Sequence, residues 1–423
     1  MRCKKFLLFV GPPGAMTVLT VVSGMAFSLL WPDVVRHHGA YWITPGDMWD
    51  TFRAAHYVGW GGMSYVYSSR AVFVTLPAFA TLLWPIASLS SALHLTESAP
   101  GIMLLKPQAW LLVGPFCLVL SGIALFGLDA VARRIGVKGL ARIALLLVLT
   151  FALWPATAMW GHPEDTIAVG LLAFALVAAL DGRWALAGWL LGTAIAVQLV
   201  VLLVVPIFIG LAGARRAVPL LARAAIVPGF FAVAVLVPDF HHAVHVLLQQ
   251  PTYPKVDHAT PWVSLSPVIA PGTVAAGPSR LLAGALALGA GWYAARRRGD
   301  LLGVLYAAEV VFAARCIFES VMVPYYVMPA VALALVVSTV GPRARLGLTW
   351  LSAIGLTVMT HYHMETWTYY GYMVALLAVM LIASAPRRRT PVPKATELLP
   401  TAWVPTAAAT LITEGGALAD FAG

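Results

Sequence analysis

The sequence has few charged residues. Asp, Glu, Lys and Arg together make up only 10% of the 423 residues, whereas 61% are hydrophobic. Soluble domains are closer to a quarter charged, so this composition excludes an ordinary soluble protein and indicates a protein that crosses a membrane several times. The chain also has no stretch that resembles a soluble domain and no convincing internal repeat. We therefore expect one all-α membrane domain over residues 1–385.

Cysteines and complete metal-binding motifs are scarce as well. The three cysteines, Cys3, Cys117 and Cys316, have no CxxC spacing and fall in or beside apolar segments. Neither a disulfide framework nor a zinc ribbon is therefore implied. His241 and His245 have the i, i+4 spacing that can chelate a metal on one helix face. The sequence contains no HExxH motif, however, and we expect no metal site.

Most of the sequence consists of long apolar runs. They fall near residues 6–31, 108–131, 140–158, 165–181, 184–212, 222–238, 279–295, 301–318, 321–339, 347–360 and 367–385. The first run is long enough to span a membrane, so we expect a retained helix rather than a cleaved signal peptide. The run at 184–212 is too long for one span and carries Gln198 near its middle, which predicts two short helices. At ~20 residues per span, the total is about twelve crossings.

The net charge of +10 lies in short basic clusters between the apolar runs. Lys and Arg are enriched in cytoplasmic loops, so the pattern is an orientation signal and predicts no nucleic-acid partner. With the N-terminus inside, most of the 27 Lys and Arg residues fall on the cytoplasmic side and all eleven His residues on the other. We expect a multi-pass plasma-membrane protein with both termini in the cytoplasm. Residues 386–423 are predicted to be a disordered cytoplasmic tail.

This orientation predicts a large first extracytoplasmic loop, residues 32–107. Within it, Phe73–Leu93 is apolar but contains Pro77 and Pro85, so we expect juxtamembrane helices that lie at the outer surface. The stretch Thr44–Tyr67 gathers two acids, an Arg, a His and many aromatic residues. Such a cluster at a membrane surface is the first candidate for chemistry on a lipid-linked substrate.

A set of loose sequence patterns begins in this loop and continues along the chain. Asp47, Ala54, Gly61 and Tyr65 occur in the order Asp, about seven residues, Ala, about seven residues, Gly and then Tyr. Further patterns are Phe73–Pro85, Gly161-His162, Ala187-Gly188 through Gln198, and Val323–Leu335. Together they resemble the C-fold (GT-C) membrane glycosyltransferases over most of residues 40–340. The pattern is most similar to actinobacterial mannosyltransferases that use polyprenyl-phosphate mannose. These enzymes are of the glycosyltransferase family 87 type.

The resemblance implies a transferase of the cell envelope. It would move a sugar, expected from the resemblance to be mannose, from a polyprenyl-phosphate donor to a glycolipid or polysaccharide acceptor at the extracytoplasmic face, in contact with membrane lipid. In such enzymes an aspartate of the first outer loop acts as general base on the acceptor hydroxyl, and the sugar is transferred with inversion. Here that residue would be Asp47, with Asp50 as the second candidate. No cofactor is expected; the alternative is a divalent cation, which some C-fold enzymes use.

The residues predicted to bind substrate share a position on the outer side. They are Arg53, Trp60, His162, Glu164, Gln198, Arg315, Tyr325 and Tyr326. Two of them depart from the family pattern, because Gln198 stands where those enzymes usually have Lys and His162 stands where they usually have Gln.

Each candidate also has a structural interpretation. Asp47 can cap the helix that follows it, and Asp165 can do the same for the next span. Arg315 and Glu319 are one helical turn apart, so they form either an intrahelical ion pair or part of a clamp on the donor phosphate. For the whole protein, the alternatives are a lipid or amphiphile transporter or flippase, and an inactive scaffold of the same fold.

Overall fold

A computed structural model describes residues 2–30, 47–59, 62–67, 73–99, 102–105, 109–360, 362 and 364–386. Within these ranges the protein is mostly helical, as the hydropathy pattern predicts. Trp60 and nearly all of the predicted tail lie outside the described residues.

The helices follow the predicted apolar runs closely. Their bounds are α1 Arg2–Leu30, α2 Met48–Gly59, α3 Ala78–Ala92, α4 Trp110–Arg134, α5 Gly139–Ala158, α6 Pro163–Leu180, α7 Trp184–Val197, α8 Val205–Ala212, α9 Ala214–Leu236, α10 Phe240–Gln249, α11 Arg280–Arg296, α12 Leu301–Ile317, α13 Met328–Ser338, α14 Arg343–Met359 and α15 Thr366–Ser384. A run of apolar residues long enough to span thus corresponds to a helix almost everywhere.

Five of the described helices are long and apolar enough to cross a membrane. They are α4, α5, α6, α9 and α15. Their length and composition mark the chain as an α-helical membrane protein. Several other apolar helices are shorter, including α7 at 14 residues, so the number of about twelve crossings stays a prediction.

The long run at 184–212 is broken at Gln198, as its length predicts. Helix α7 ends at Val197, Gln198 adopts extended backbone angles, and a 3₁₀ segment over Leu199–Val204 leads into α8. The break frees the Gln198 side chain from the helix surface, and its Nε2 donates to Asp165 Oδ1 at 2.9 Å. A polar interruption in an apolar run therefore joins two helices at the site described below.

The centre of the fold is the contact between α4 and α6, where glycines allow the backbones to meet. A Cβ added to Gly170 would lie 2.5 Å from the backbone of Ile123, and one added to Gly127 would collide with Gly170 itself. Small residues of this kind let membrane helices approach closely, which strengthens their van der Waals packing. The contact fixes α6, whose first residue directly follows His162.

Three pairs of short strands occur in the loops that the structure describes. They are β1 Thr96–Ala99 with β2 Ile102–Leu105, β3 His258–Ala259 with β6 Val321–Met322, and β4 Val268–Ala270 with β5 Thr273–Val274, all antiparallel. The β3–β6 pair fastens the loop after α10 to the connection between α12 and α13. Thr260 reinforces it, because its hydroxyl donates to the carbonyl of Glu319 at 2.6 Å.

Candidate functional site

His162 forms a bridge between two acids that are distant in sequence. Its Nε2 lies 2.7 Å from Asp47 Oδ2, and its Nδ1 lies 2.6 Å from Glu164 Oε1. Asp47 stands at the start of α2, and its carbonyl accepts the N–H of Thr51, so it holds the capping position while its carboxylate points to His162. The Asp47 side chain stays 53% exposed, whereas that of Glu164 is buried. Glu164 thus orients the imidazole, and Asp47 remains open to a substrate.

The surroundings of His162 favour its charged form. Burial alone lowers the pKa of the imidazole, but the negative charges and hydrogen bonds of Glu164 and Asp47 raise it well above its usual value. The ring also stacks on Tyr325, with centroids 3.8 Å apart. The result is an imidazolium in a fixed orientation, with both N–H groups directed at carboxylates.

The prediction that Asp165 caps α6 is wrong. His162 occupies the N-cap position and Pro163 is the first helical residue, which places Asp165 in the first turn. Proline is favoured at that position because its missing N–H is not needed there. The buried Asp165 carboxylate instead accepts from Gln198 and lies 3.8 Å from His162 Nδ1.

Two arginines converge on one buried acid. Glu319 lies 3.1 Å from Arg315 Nη1 and 2.8 Å from Arg280 Nη2, and its own side chain is 1% exposed. The Arg315 guanidinium is also stacked over the ring of Tyr326, 3.8 Å from its centroid. The predicted i, i+4 ion pair is therefore confirmed, but two guanidinium groups share one carboxylate. The trio has a net positive charge that an anionic ligand could neutralise.

A cavity of about 790 Å³ connects these groups. The polar residues that line it include His162, Asp165, Gln198, Gln250, Arg280, Arg315, Tyr325 and Tyr326. The rest of the lining is apolar and comes largely from the 3₁₀ segment after Gln198 and from α9, with residues such as Leu202, Leu221 and Pro228. The cavity therefore has a cationic end and an apolar wall.

Five of the predicted substrate-binding residues thus line one cavity: His162, Gln198, Arg315, Tyr325 and Tyr326. Asp50 and Arg53 are located on α2, where they form an ion pair at 3.7 Å that is partly buried. Trp60 lies outside the described residues, so its predicted role stays a prediction.

Another acid lies close to Asp47. Burial raises the pKa of Asp257 to about 7, and the negative charge of Asp47 adds to the effect, whereas His162 opposes it. Asp257 is the last residue of the turn before β3, and the influence of both Asp47 and His162 on its pKa indicates that it lies near them. The proximity of these two acids could not be predicted from the sequence, because they are far apart in the chain.

Arg280 belongs to the site although it was not among the predicted substrate-binding residues. It lies at the first position of α11, on the predicted outer side, against the usual distribution of basic residues. That signal was visible in the sequence. Its partners Glu319 and Gln250 are distant along the chain, however, and only the fold brings them together.

Among the described residues, one group could hold a metal ion. The ligand atoms of His162, Glu164 and Asp165 all lie within 4.8 Å of one another. Both imidazole nitrogens already contact carboxylates, and Asp165 accepts from Gln198. A cation would have to displace these contacts, so the chemistry of the group fits hydrogen bonding better than metal ligation. The histidines that the sequence offered, His241 and His245, do not belong to it.

Comparison with protein-family models, curated proteins and solved structures found no significant match to this chain. The fold defines an α-helical membrane protein, and the site defines a cavity with charges of both signs beside an apolar wall.

Proposed function

We propose that the protein is an integral membrane glycosyltransferase that moves a sugar from a polyprenyl-phosphate donor to a lipid or polysaccharide acceptor at the extracytoplasmic face. One observation carries the proposal. A single cavity of about 790 Å³ combines an apolar wall, two arginines and a histidine flanked by an exposed aspartate. A lipid phosphate needs both an apolar surface and cationic donors, and the volume is in the range of ligand pockets.

The phosphate of the donor would occupy the cationic end. Arg280 and Arg315 can each direct N–H groups towards it, and the charge on Glu319 keeps both guanidinium groups in place before the donor binds. Donors that are aligned in advance stabilise the charge that develops on the leaving phosphate. Tyr326 restrains Arg315 further through the stacked ring.

Asp47 would act as the general base. Its Oδ2 accepts from His162, and its exposure leaves the other oxygen free for an acceptor hydroxyl. As the hydroxyl oxygen forms its bond to the anomeric carbon, the proton passes to Asp47 and the bond to the phosphate oxygen breaks. The polyprenyl phosphate leaves with that electron pair, and the anomeric configuration inverts.

The wild-type protein in proteoliposomes tests the proposal with a radiolabelled polyprenyl-phosphate sugar and a mixture of glycolipid acceptors. We expect a labelled product that Asp47→Asn fails to form. A protein that moves the labelled lipid between leaflets without forming product would be a flippase. If it neither transfers nor moves the lipid, the scaffold alternative holds.

A further inference from the structure

A second cavity lies at the opposite end of α6 from His162. It encloses about 510 Å³ where the last residues of α6, Ala179 and Leu180, meet the junction between α8 and α9. The 18 residues of α6 correspond to roughly 27 Å at the usual helical rise. That length is close to the ~30 Å of a bilayer's hydrocarbon core, so the two cavities belong to opposite membrane surfaces.

Three arginines line this second cavity: Arg215, Arg216 and Arg298. The fold positions two of them. Arg298 Nε donates to the carbonyl of Gly210 at 3.0 Å, and Arg216 lies over the ring of Trp184, 5.7 Å from its centroid. Gly213 has a φ of 67°, and a Cβ added there would lie 3.0 Å from the Arg298 guanidinium. The glycine thus allows the chain to turn beneath Arg298.

No acid lines the cavity within the part of the chain that the structure describes. The acid nearest in sequence to the C-terminal end of α6 is Asp181, which pairs with Arg134 at 2.6 Å. Asp300 caps α12 through the N–H of Gly303 and contacts Arg297. The three lining arginines are exposed, and no carboxylate of the described lining neutralises them, so their charges attract an anion to the cavity.

Two further observations indicate a missing acceptor. The indole Nε1 of Trp184 is buried and has no hydrogen-bond partner among the residues that the structure describes. Trp184 lines the same cavity, so a ligand bound there would lie beside its indole ring. Helix α9 also begins at the cavity, and its N-cap residue, Gly213, provides no side-chain cap. The positive end of the helix dipole thus adds to the attraction for an anion.

We propose that this second cavity binds the phosphate headgroup of an anionic phospholipid from the leaflet opposite the candidate active site. Arg216 and Arg298 would hold the phosphate oxygens, and the Trp184 indole would donate a further hydrogen bond. Leu180, Leu211 and Ala212 give the cavity an apolar side against which the first methylenes of an acyl chain can pack. Basic pockets between membrane helices are suited to such headgroups.

Native mass spectrometry of the detergent-purified full chain tests this proposal. The probes are phosphatidylglycerol, phosphatidylcholine and inorganic phosphate. We expect wild type to retain one phosphatidylglycerol in preference to phosphatidylcholine, with about tenfold weaker retention for Arg216→Gln, for Arg298→Gln and for Trp184→Phe. The last variant keeps the ring but removes the N–H group. Arg223→Gln is the matched control, because Arg223 lies on α9 outside the cavity and donates to Pro219.

Folding of each variant is checked by gel filtration and thermal unfolding, and variants that unfold early are replaced by Arg216→Lys and Arg298→Lys. Equal retention of phosphatidylglycerol by wild type and all the cavity variants would overturn the proposal. Inorganic phosphate that displaces the lipid at equal concentration would also overturn it, since the site would then bind a free anion and not a lipid. Retention of the lipid by wild type and the Arg223→Gln control, but not by the cavity variants, would support it.

Discussion

The two ends of α6 carry cavities that differ in electrostatic character. At the His162 end, acids and bases alternate, and each charged side chain contacts one of the opposite sign. At the other end, beyond Leu180, the charged residues that line the cavity in the described part of the chain are all arginines. A site that moves protons needs both signs of charge in contact, whereas a site that only binds an anion needs cations. The same helix therefore separates a candidate catalytic site from a candidate binding site.

The largest expected effect concerns the side of the membrane on which each end of α6 lies. Lys255→Cys and Gly299→Cys introduce thiols at exposed positions, and Cys117 and Cys316 are buried. In a Cys3→Ser background, an impermeant thiol reagent added to intact cells should label Lys255→Cys and leave Gly299→Cys unlabelled. Permeabilised cells provide the control, since both variants should then react. Labelling of Gly299→Cys alone would reverse the orientation and the location of the proposed site.

The next largest effect concerns Asp47, the proposed general base. Asp47→Asn keeps the size of the side chain but cannot accept a proton, so kcat should fall by about 10²- to 10⁴-fold while donor binding is preserved. Asp50→Asn is the matched control, because Asp50 lies one turn along the same helix and pairs with Arg53. Product formation from the radiolabelled donor measures both. An active Asp47→Asn together with an inactive Asp50→Asn would move the base by one turn of α2.

A further effect concerns donor binding by Arg315 and Arg280, the two arginines of the cavity at the His162 end of α6. Arg315→Gln should raise the KM for the donor by about 10- to 100-fold, because a charge-assisted hydrogen bond is lost. Arg280→Gln should have a similar effect, since both guanidinium groups contact Glu319. Competition by unlabelled polyprenyl phosphate reports binding directly. An unchanged donor KM in both variants would leave the two residues with a structural role alone.

Much of the fold could be predicted from hydropathy. Apolar runs marked the helices, and the excess length around Gln198 predicted the break that the structure contains. Length sets these features locally, so no knowledge of the tertiary contacts is needed. The number of crossings is different, because several apolar helices are too short for length alone to decide it.

The site was only partly predictable. Asp47 and His162 were each chosen from the resemblance to known transferases, but their mutual contact joins residues far apart in the chain. Arg315 was paired correctly with Glu319 because i, i+4 spacing is a local rule. The second partner of that acid, Arg280, and the role of Asp165 beside Gln198 depend on packing between helices. Such contacts have no signature in a single sequence.

A smaller effect is expected from metal removal. Because the His162 nitrogens already contact Asp47 and Glu164, we predict that EDTA leaves the transfer rate nearly unchanged. The measurement is the rate of product formation before and after chelation, with the protein dialysed into metal-free buffer as a control. Loss of activity that Mg²⁺ or Mn²⁺ restores would assign His162, Glu164 and Asp165 to a metal site instead.

The smallest effect concerns stability against pH near the mixed-charge cavity. An acid whose pKa is raised in the folded state favours folding when it is protonated. Its contribution is therefore present below its ordinary pKa and is lost as the pH rises through the folded value, about 7 for Asp257. Asp257→Asn cannot ionise, so its Tm should rise relative to wild type as the pH increases.

Glu365→Gln is a control in the same experiment, because the contribution of Glu365 to stability depends on pH in the opposite direction. Hydrogen bonds from the backbone N–H groups of Thr368 and Trp367 lower the pKa of Glu365, so its contribution is present above its ordinary pKa and is lost as the pH falls. Thermal unfolding followed by tryptophan fluorescence measures both variants in one detergent. If the Tm difference for Asp257→Asn stays constant with pH, Asp257 titrates as an ordinary solvated acid. The network of opposite charges around His162 would then include Asp47 but not Asp257.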